Sequence, residues 1–157
     1  MKKNNTYSEL DNLDVQILSI LMEDASIPYT EIAKQLIVSG GTIHVRMKKM
    51  QELGIIKGSN LTINPQKVGF DVTAFIGIYL DKGSQYSDAV GQLEAVKEVV
   101  ELHYCTGQYS MFAKLICRDT SHLRRVLNED IQSIKGIQRT ETIISLEESI
   151  KRQITLT

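Results

Sequence analysis

The stretch "VSGGTIHVRMKKMQELGII" (residues 38–56) decides the fold of the amino-terminal half of the chain. Ser39 is a favourable N-cap, and Gly54 stands where helices commonly end in a left-handed residue, so a helix is predicted between them. At about 100° per residue, the apolar side chains gather on one arc of this helix. The opposite arc is small, polar and basic, as in a helix that enters a groove of DNA.

Two shorter helical patterns precede this helix. In "LDNLDVQILSILMED" (10–24) the apolar residues recur at helical spacing, with Asp11 or Asn12 as the predicted cap. Pro28 stops that pattern, and "TEIAKQL" (30–36) predicts a second helix capped by Thr30. A short helix, a turn and a longer helix form a helix-turn-helix, whose second helix reads the major groove. The β-branched segment "IIKGSNLTIN" (55–64) then predicts a wing strand.

Nine residues of the third helix and its cap are candidates for contact with DNA. Lys48, Lys49 and Arg46 would attract phosphates, and Gly41, Thr42 and His44 would set the register against bases. Arg46 lies among apolar residues, so it is expected to reach sideways to a phosphate or to a neighbouring helix. Three amphipathic helices packed for stability alone would show the same spacing. The candidate set is Ser39, Gly40, Gly41, Thr42, His44, Val45, Arg46, Lys48 and Lys49.

Charge is distributed unevenly along the chain, although the formal net charge of its 157 residues is only −1. Residues 9–31 carry acids and no Lys or Arg, whereas residues 32–58 carry five bases against Glu52 alone. This split favours double-stranded DNA as a partner. No apolar run approaches the roughly 18 residues of a membrane helix, and "MKKNNTYSELDN" lacks a signal-peptide core, which predicts a cytoplasmic protein without a membrane partner. Cys105 and Cys117 are isolated, so two buried free thiols are expected.

The second half changes from helical to strand periodicity. "NPQKVGFDV" (64–72) contains Pro65 and Gly69, and it predicts a boundary between domains 1–64 and 65–157. Beyond it, strand and helix patterns follow in the order β-α-β-β-α-β, with a hairpin turn at Gly107. This order is the ferredoxin-like arrangement. The predicted class is therefore α+β, with an amino-terminal winged helix-turn-helix and a ferredoxin-like βαββαβ domain.

Aromatic side chains on the predicted sheet require a cover. Helices cover one face, and Phe75, Tyr79, Tyr104 and Phe112 are assigned to the other. At roughly 25 cal/mol per Å², leaving several hundred Å² of that face wet forgoes on the order of 10 kcal/mol. A second copy of the sheet is the simplest cover, so a homodimer is predicted.

The turn "YCTGQYS" (104–110) concentrates hydroxyls, an amide and backbone N–H donors, which together can hold a small zwitterion. Hairpin turns also have this composition for structural reasons alone. Catalysis is not expected, because the histidines are scattered and neither a nucleophile pair, a phosphate loop nor metal-ligand spacing occurs. The alternative to a DNA-binding regulator is an amino-acid-binding sensor module that regulates a metabolic enzyme without DNA. RNA binding through the sheet would need an RNP-like strand, and "YSMFAKLICR" is a poor one.

Five segments resemble, in order and spacing, the Lrp/AsnC (feast/famine) family of bacterial and archaeal transcription regulators. They are "LDNLDVQIL", "VSGGTIHVRMKKMQELGIIKG", "GFDVTAFIGI", "TGQYSMFAKLICRD" and "IQRTETIISL". The resemblance implies a sequence-specific regulator of amino-acid metabolism that forms homodimers, often assembles into octamers, and binds an amino-acid effector where dimers meet. "GTIHVR", "TGQYS" and "TETIISL" are most similar to the asparagine-responsive branch, which implies asparagine as the effector.

By position, the resemblance also implies an effector site. The turn would contribute Tyr104, Thr106, Gly107, Gln108, Tyr109 and Ser110, and a neighbouring subunit would add groups near Gln132 and Thr140. The pair Gly40-Gly41 departs from the proline-containing sequence that many members have before the recognition helix. This departure is expected to loosen the start of that helix.

Overall fold

The computed structural model describes residues 10–156, which form two compact units. Residues 10–62 and 150–156 make up the first unit, and residues 63–149 make up the second. The segment 150–156, termed the carboxyl-terminal tail below, therefore belongs to the first unit, whereas the predicted boundaries assign it to the second domain. Leu156 packs against the apolar cluster of the helices in the first unit.

Three helices build the first unit: α1 (Asn12–Glu23), α2 (Tyr29–Gln35) and α3 (Gly40–Glu52). The predicted caps of α1 and α3 are confirmed. The Asp11 side chain accepts a hydrogen bond from the backbone of Asp14, whose own side chain accepts from the backbone of Asp11. Ser39 Oγ accepts from the backbone N–H of Thr42 at 3.0 Å. Gly54 adopts a φ of 70°, the left-handed conformation expected after α3.

The predicted cap of α2 is wrong by two residues. Pro28, not Thr30, precedes the helix, and no side chain caps it. The φ of Pro28 is −63°, and its carbonyl accepts hydrogen bonds from the N–H groups of Glu31 and Ile32. Because proline fixes φ near this value, it leads directly into a helix without a polar side chain. Thr30 lies inside the first turn instead.

The predicted wing strand does not form within the described chain. Ile55 and Ile56 turn back, and their N–H groups both donate to the carbonyl of Met50. Residues 57–64 follow in an irregular path, with the Leu61 side chain 90% exposed. A strand needs a neighbour to receive its backbone hydrogen bonds, and no other described segment pairs with this one. The β-branched composition alone therefore predicted the wrong structure here.

The second unit has the predicted β-α-β-β-α-β order. Its strands are β1 (Val72–Leu80), β2 (Val99–Tyr104), β3 (Met111–Cys117) and β4 (Ile137–Ile144), and its helices are α4 (Tyr86–Leu93) and α5 (Thr120–Arg125). A π-helical segment, Val126–Ile131, continues α5. The sheet has the strand order β2-β3-β1-β4, and every neighbouring pair is antiparallel. This is the ferredoxin-like topology.

The two faces of the sheet differ as the alternation of β1 predicts. Ala74, Ile76 and Ile78 are fully buried beneath the helices. Residues opposite one another in antiparallel strands point to the same face. Tyr104 is paired with the fully buried Met111, so it lies on the helix side and not on the opposite face as predicted.

The face away from the helices is termed the open face. Phe75 and Phe112 stack on it with ring centroids 5.9 Å apart. Of the two cysteines, Cys117 is buried and Cys105 is only half-buried, and neither forms a disulfide. None of the helices between residues 10 and 156 combines the length and the apolar character that a membrane crossing requires. Most of the amino-terminal segment behind the cytoplasmic prediction lies outside the described residues.

Candidate DNA interface and ligand site

Helix α3 divides sharply into a buried and an exposed face. Ile43, Met47 and Met50 are at most 7% exposed, whereas Val45 is 71% exposed and His44 is also exposed. The His44 ring and the Tyr29 ring of α2 form a T-shaped pair, with ring centroids 4.9 Å apart. Packing within the unit therefore leaves the predicted reading face of α3 uncovered by the rest of this unit.

The start of α3 combines occupied hydroxyls with unfilled space. Ser39 Oγ and Thr42 Oγ1 lie 2.8 Å apart, so these two hydroxyls already bond to each other. A Cβ added at Gly40 would have no described atom within 4 Å, and one at Gly41 would meet only the Ser39 hydroxyl at 3.7 Å. Packing among residues 10–156 does not require either glycine. The free space at this end of α3 would allow the backbone of a DNA duplex to approach closely.

The lysines of α3 remain at the surface. Lys48 Nζ lies 3.8 Å from a carboxylate oxygen of Glu52, and both side chains are more than two-thirds exposed. Exposed pairs one helical turn apart contribute about 0.3–0.5 kcal/mol, so this pair does not hold Lys48 away from a phosphate. Lys49 is exposed as well. The two lysines keep the geometry that phosphate attraction requires.

Arg46 differs from the other DNA-binding candidates. Its Nη1 donates to Asp11 Oδ2 at 2.6 Å and to Asp14 Oδ1 at 2.8 Å, and its side chain is 26% exposed. The sequence left open whether Arg46 contacts a phosphate or a neighbouring helix. In the structure it contacts the start of the neighbouring helix α1. The bond to Arg46 is the main cause that lowers the pKa of Asp11, and the same pairing raises the pKa of Arg46.

The turn between β2 and β3 places the predicted effector residues in several environments. Thr106, Gly107 and Gln108 are exposed, and Gly107 has a φ of 106°, which only glycine adopts readily. The Ser110 hydroxyl accepts a hydrogen bond from the backbone of Leu80 at 3.3 Å, so it supports the turn from inside. The Tyr104 ring lies 4.4 Å from that of Tyr86 on α4.

Gln132 and Thr140 contact each other within one chain. Gln132 Nε2 donates to Thr140 Oγ1 at 3.0 Å. Thr140 is the cross-strand partner of Ile78, whose carbonyl on the other side of β1 accepts from the Ser110 N–H. Two strand spacings, about 10 Å, therefore separate the backbone of Thr140 from that of the turn. The two groups of predicted residues are neighbours but do not form one closed pocket in a single chain.

Tyr109 joins a network on the open face that sequence reasoning missed. Its hydroxyl donates to Glu141 Oε2 at 2.8 Å, and the Tyr79 hydroxyl donates to Oε1 of the same carboxylate at 2.9 Å. The guanidinium of Arg139 lies 3.8 Å from the centre of the Tyr79 ring. A Cβ at Gly77 would overlap the Tyr109 ring, so a larger residue there would have to displace that ring. The cross-strand pairs Gly77–Glu141 and Tyr79–Arg139 build the network, and this register is not readable from a single strand.

The hydrogen bonds of this network shift the acidity of its members. Donation from Tyr109, and then from Tyr79, lowers the pKa of Glu141 below its ordinary value of 4.5. The bond to Glu141 is the main cause that raises the pKa of Tyr109, whereas desolvation is the main cause for the raised pKa of Tyr79. The network is therefore most stable with an ionised carboxylate and two neutral phenols.

Comparison with known proteins now assigns the two units. Residues 10–57 match the family profile described as winged helix-turn-helix DNA-binding, and residues 73–155 match that of the Lrp/AsnC ligand binding domain. The chain belongs to the Lrp/AsnC family. The family profiles and the geometry agree that the first unit contains a helix-turn-helix DNA-binding region and that the βαββαβ unit is a ligand-binding domain.

Individual members of the Lrp/AsnC family are similar along nearly the whole chain. The regulatory protein AsnC of Escherichia coli K12 is 48% identical over 145 residues, which cover 92% of this chain and 95% of that protein. The solved structure of E. coli AsnC superposes with a TM-score of 0.89 at 46% identity, over 94% of this chain and 99% of that one. A Neisseria meningitidis transcriptional regulator, solved as an L-Met complex, shares the fold at 21% identity, with a TM-score of 0.86 over 94% and 96% of the two chains. This chain is therefore an AsnC-like transcription regulator.

Proposed function

We propose that this regulator binds an amino acid, with asparagine as the effector, and that the bound amino acid changes how it holds the DNA of genes for amino-acid metabolism. The observation that carries the proposal is the combination, in one chain, of an uncovered recognition face on α3 with a polar turn whose side chains are solvent-accessible. The similarity to AsnC supports asparagine, and the L-Met complex of the Neisseria protein supports an amino acid as the ligand class.

The turn can recognise both ends of a small zwitterion. Thr106 and Gln108 are exposed and can bond the charged groups or the amide of a ligand, while Gly107, also exposed, carries no side chain that would cover the neighbouring backbone. Gln132 and Thr140 would complete the site from a neighbouring subunit, as the family resemblance implies. The Gln132–Thr140 bond supports this role, because it orients an amide and a hydroxyl side by side at the edge of the sheet.

A homodimer paired through the open face would bring two recognition helices to one DNA duplex. Phe75 and Phe112 stack there, and Ile143, the cross-strand neighbour of Phe75, is 55% exposed. A second copy of the same face removes this apolar surface from water. Two recognition helices about 34 Å apart would then meet successive major grooves, and dimers would assemble further into octamers. In this proposal, residues 1–64 bind DNA, and residues 65–157 bind the effector and form the contacts between subunits.

The experiment that tests the function combines DNA selection with calorimetry. The protein first selects duplexes from a random-sequence pool, and the selected duplex is then used in titrations with each of the twenty amino acids. Asparagine is expected to bind more tightly than the other nineteen. By reciprocity, its affinity should differ between the free protein and the DNA complex by the same factor as the DNA affinity differs with and without asparagine.

The sensor module without DNA makes the opposite prediction. Selection would then return no enriched sequence, and duplexes from the random pool would leave the affinity for asparagine unchanged. Sedimentation of the protein at micromolar concentration tests the dimer separately, because a stable monomer would contradict pairing through the open face. A different preferred amino acid would revise the effector and leave DNA binding intact.

A further inference from the structure

The ion bridge between α1 and α3 has a geometry that an ordinary surface pair lacks. The two hydrogens of Arg46 Nη1 match its two short bonds, one to Asp11 and one to Asp14. Asp14 is only 1% exposed, although it carries a carboxylate. We propose that Arg46 is a positioning residue, which fixes the rotation of the recognition helix on α1 and thereby sets base discrimination, without contacting DNA phosphates.

The local charge argues against a phosphate contact. Arg46 supplies one positive charge, and Asp11 and Asp14 supply two negative charges within hydrogen-bond distance of it. The group as a whole therefore carries a net negative charge, which does not attract a phosphate. If Arg46 swung out to a phosphate, the buried Asp14 carboxylate would lose its cationic partner and keep only the bond from the Asp11 backbone N–H, and such an arrangement is strongly unfavourable.

The position of Arg46 on α3 explains why the bridge matters for reading. The apolar contacts of Ile43, Met47 and Met50 hold α3 against the unit but are not directional. A guanidinium with two carboxylate partners is directional, because each bond weakens steeply as its angle changes. Asp11 and Asp14 also cap α1 through each other's backbone, so they form a rigid base. Val45 and Lys48 are exposed on α3 close to Arg46 in the sequence. A rotation of α3 would therefore move both side chains away from the positions that they take against the DNA.

The inference rests on DNA binding by this unit, and a matched set of variants tests it. In Asp14→Leu/Arg46→Met, apolar side chains of similar length replace the buried pair, and such replacements often preserve or increase stability. Arg46→Lys keeps the charge, but its Nζ lies one bond closer to the backbone than Nη1 and lacks the planar guanidinium, so it cannot hold both carboxylates in the same geometry. Lys48→Ala removes a charge from the exposed face. Each protein is tested on the duplex that the parent selects from a random pool and on a scrambled duplex, over a range of salt concentrations.

For Asp14→Leu/Arg46→Met, the expected result is a ratio of selected to scrambled affinity reduced at least about fivefold, roughly the lower limit for one base-pair contact. The steepness with which log K falls against log salt should be the same in this variant as in the parent, whereas Lys48→Ala should make that slope shallower by about 0.9. Arg46→Lys should also lose its preference for the selected duplex, with no change in the slope of log K against log salt. If the double variant does not fold, Arg46→Lys is compared with the parent instead.

Three results would overturn the positioning role. If the double variant is as stable as the parent and still prefers the selected duplex to the same degree, the bridge acts only in folding. A slope lowered by about 0.9 in that variant would show that Arg46 binds a phosphate. Failure of the parent to enrich any duplex would remove the DNA-binding function itself, and the inference with it.

Discussion

The ring of Tyr109 occupies the space that a side chain at Gly77 would need. This contact connects the turn before β3 to the middle of β1, and the Tyr109 hydroxyl continues it to Glu141 on β4. A residue of the candidate effector turn is thus fixed by two strands of the open face. Changes on that face are expected to reach the turn through Tyr109.

Replacement of Gly77 by alanine is expected to destabilise the second unit by about 1–3 kcal/mol, the usual effect of overpacking. The added methyl group would displace the Tyr109 ring and break its bond to Glu141. Denaturant unfolding measures the loss. The control is Gly91→Ala on the exposed side of α4, where an added Cβ meets nothing within 4 Å and should stabilise the helix by up to about 1 kcal/mol. Equal stability of Gly77→Ala and the parent would contradict the packing described.

Ile37 stands in the turn between α2 and α3 with a φ of 55°, and its side chain is 92% exposed. A β-branched residue in this conformation is strained, and its exposure means that little apolar burial compensates for the strain. Ile37→Gly is therefore expected to increase the free energy of unfolding by about 1 kcal/mol. Thermal unfolding provides the measurement, and Ile37→Val, which keeps the branching, should give no gain. A less stable glycine variant would show that Ile37 contributes contacts in the assembled protein.

Lys48→Ala is expected to weaken binding to all duplexes alike, because phosphate attraction carries no sequence information. The slope of log K against log salt should fall by about 0.9, since the variant neutralises one phosphate fewer than the parent. Titrations of a labelled duplex at several salt concentrations measure it. Lys135→Ala, the same change of charge at an exposed site of the second unit, should leave the slope unaltered. An undiminished slope in Lys48→Ala would remove this lysine from the interface.

The Glu141 network predicts a dependence of stability on pH. The folded pKa of Glu141 is depressed, so its contribution is present above the ordinary value of 4.5 and disappears as the pH falls through the lower, folded value. The pKa values of Tyr79 and Tyr109 are raised, so their contribution is present below the ordinary value of 10 and disappears above it. Glu141→Gln should be less stable than the parent near neutral pH, with the difference shrinking in acid. Denaturant midpoints that differ equally at all pH values would contradict this linkage.

The two cysteines are expected to react at very different rates. Burial is the main cause that raises the pKa of Cys117 to about 11, so its reactive thiolate is scarce in the folded chain. Cys105 is half-buried at the end of β2. A chromogenic thiol reagent should therefore modify Cys105 first, and Cys105→Ser should leave the folded protein almost unreactive until denaturant is added. Rapid modification of folded Cys105→Ser would show that the strand around Cys117 opens readily.

Local signals in the sequence predicted much of the fold. Ser39 and Gly54 bounded α3, and the alternation along β1 identified the buried face, because caps and side-chain period are properties of neighbouring residues. The face assigned to Tyr104 was wrong, because it depends on pairing with Met111 across the sheet. Segment 55–64 was misassigned because strand composition does not supply a pairing partner.

The candidate site was predictable only in part for the same reason. The exposed face of α3 follows from helical periodicity, and the polar turn follows from its composition. The partners of Arg46 lie 32 and 35 residues away, and Glu141 lies 32 residues from Tyr109. Such contacts depend on how helices and strands pack, which no local pattern encodes. The charge of Arg46 was visible in the sequence, but its pairing with two carboxylates was not.

The carboxyl-terminal tail has a practical consequence for labelling. Leu156 packs with the helices of the first unit, although the strand that precedes the tail belongs to the second. A fluorophore attached near residue 156 would therefore sense the environment of the DNA-binding unit. Its signal should change when a duplex is added, even though its attachment point follows the ligand-binding domain in the chain.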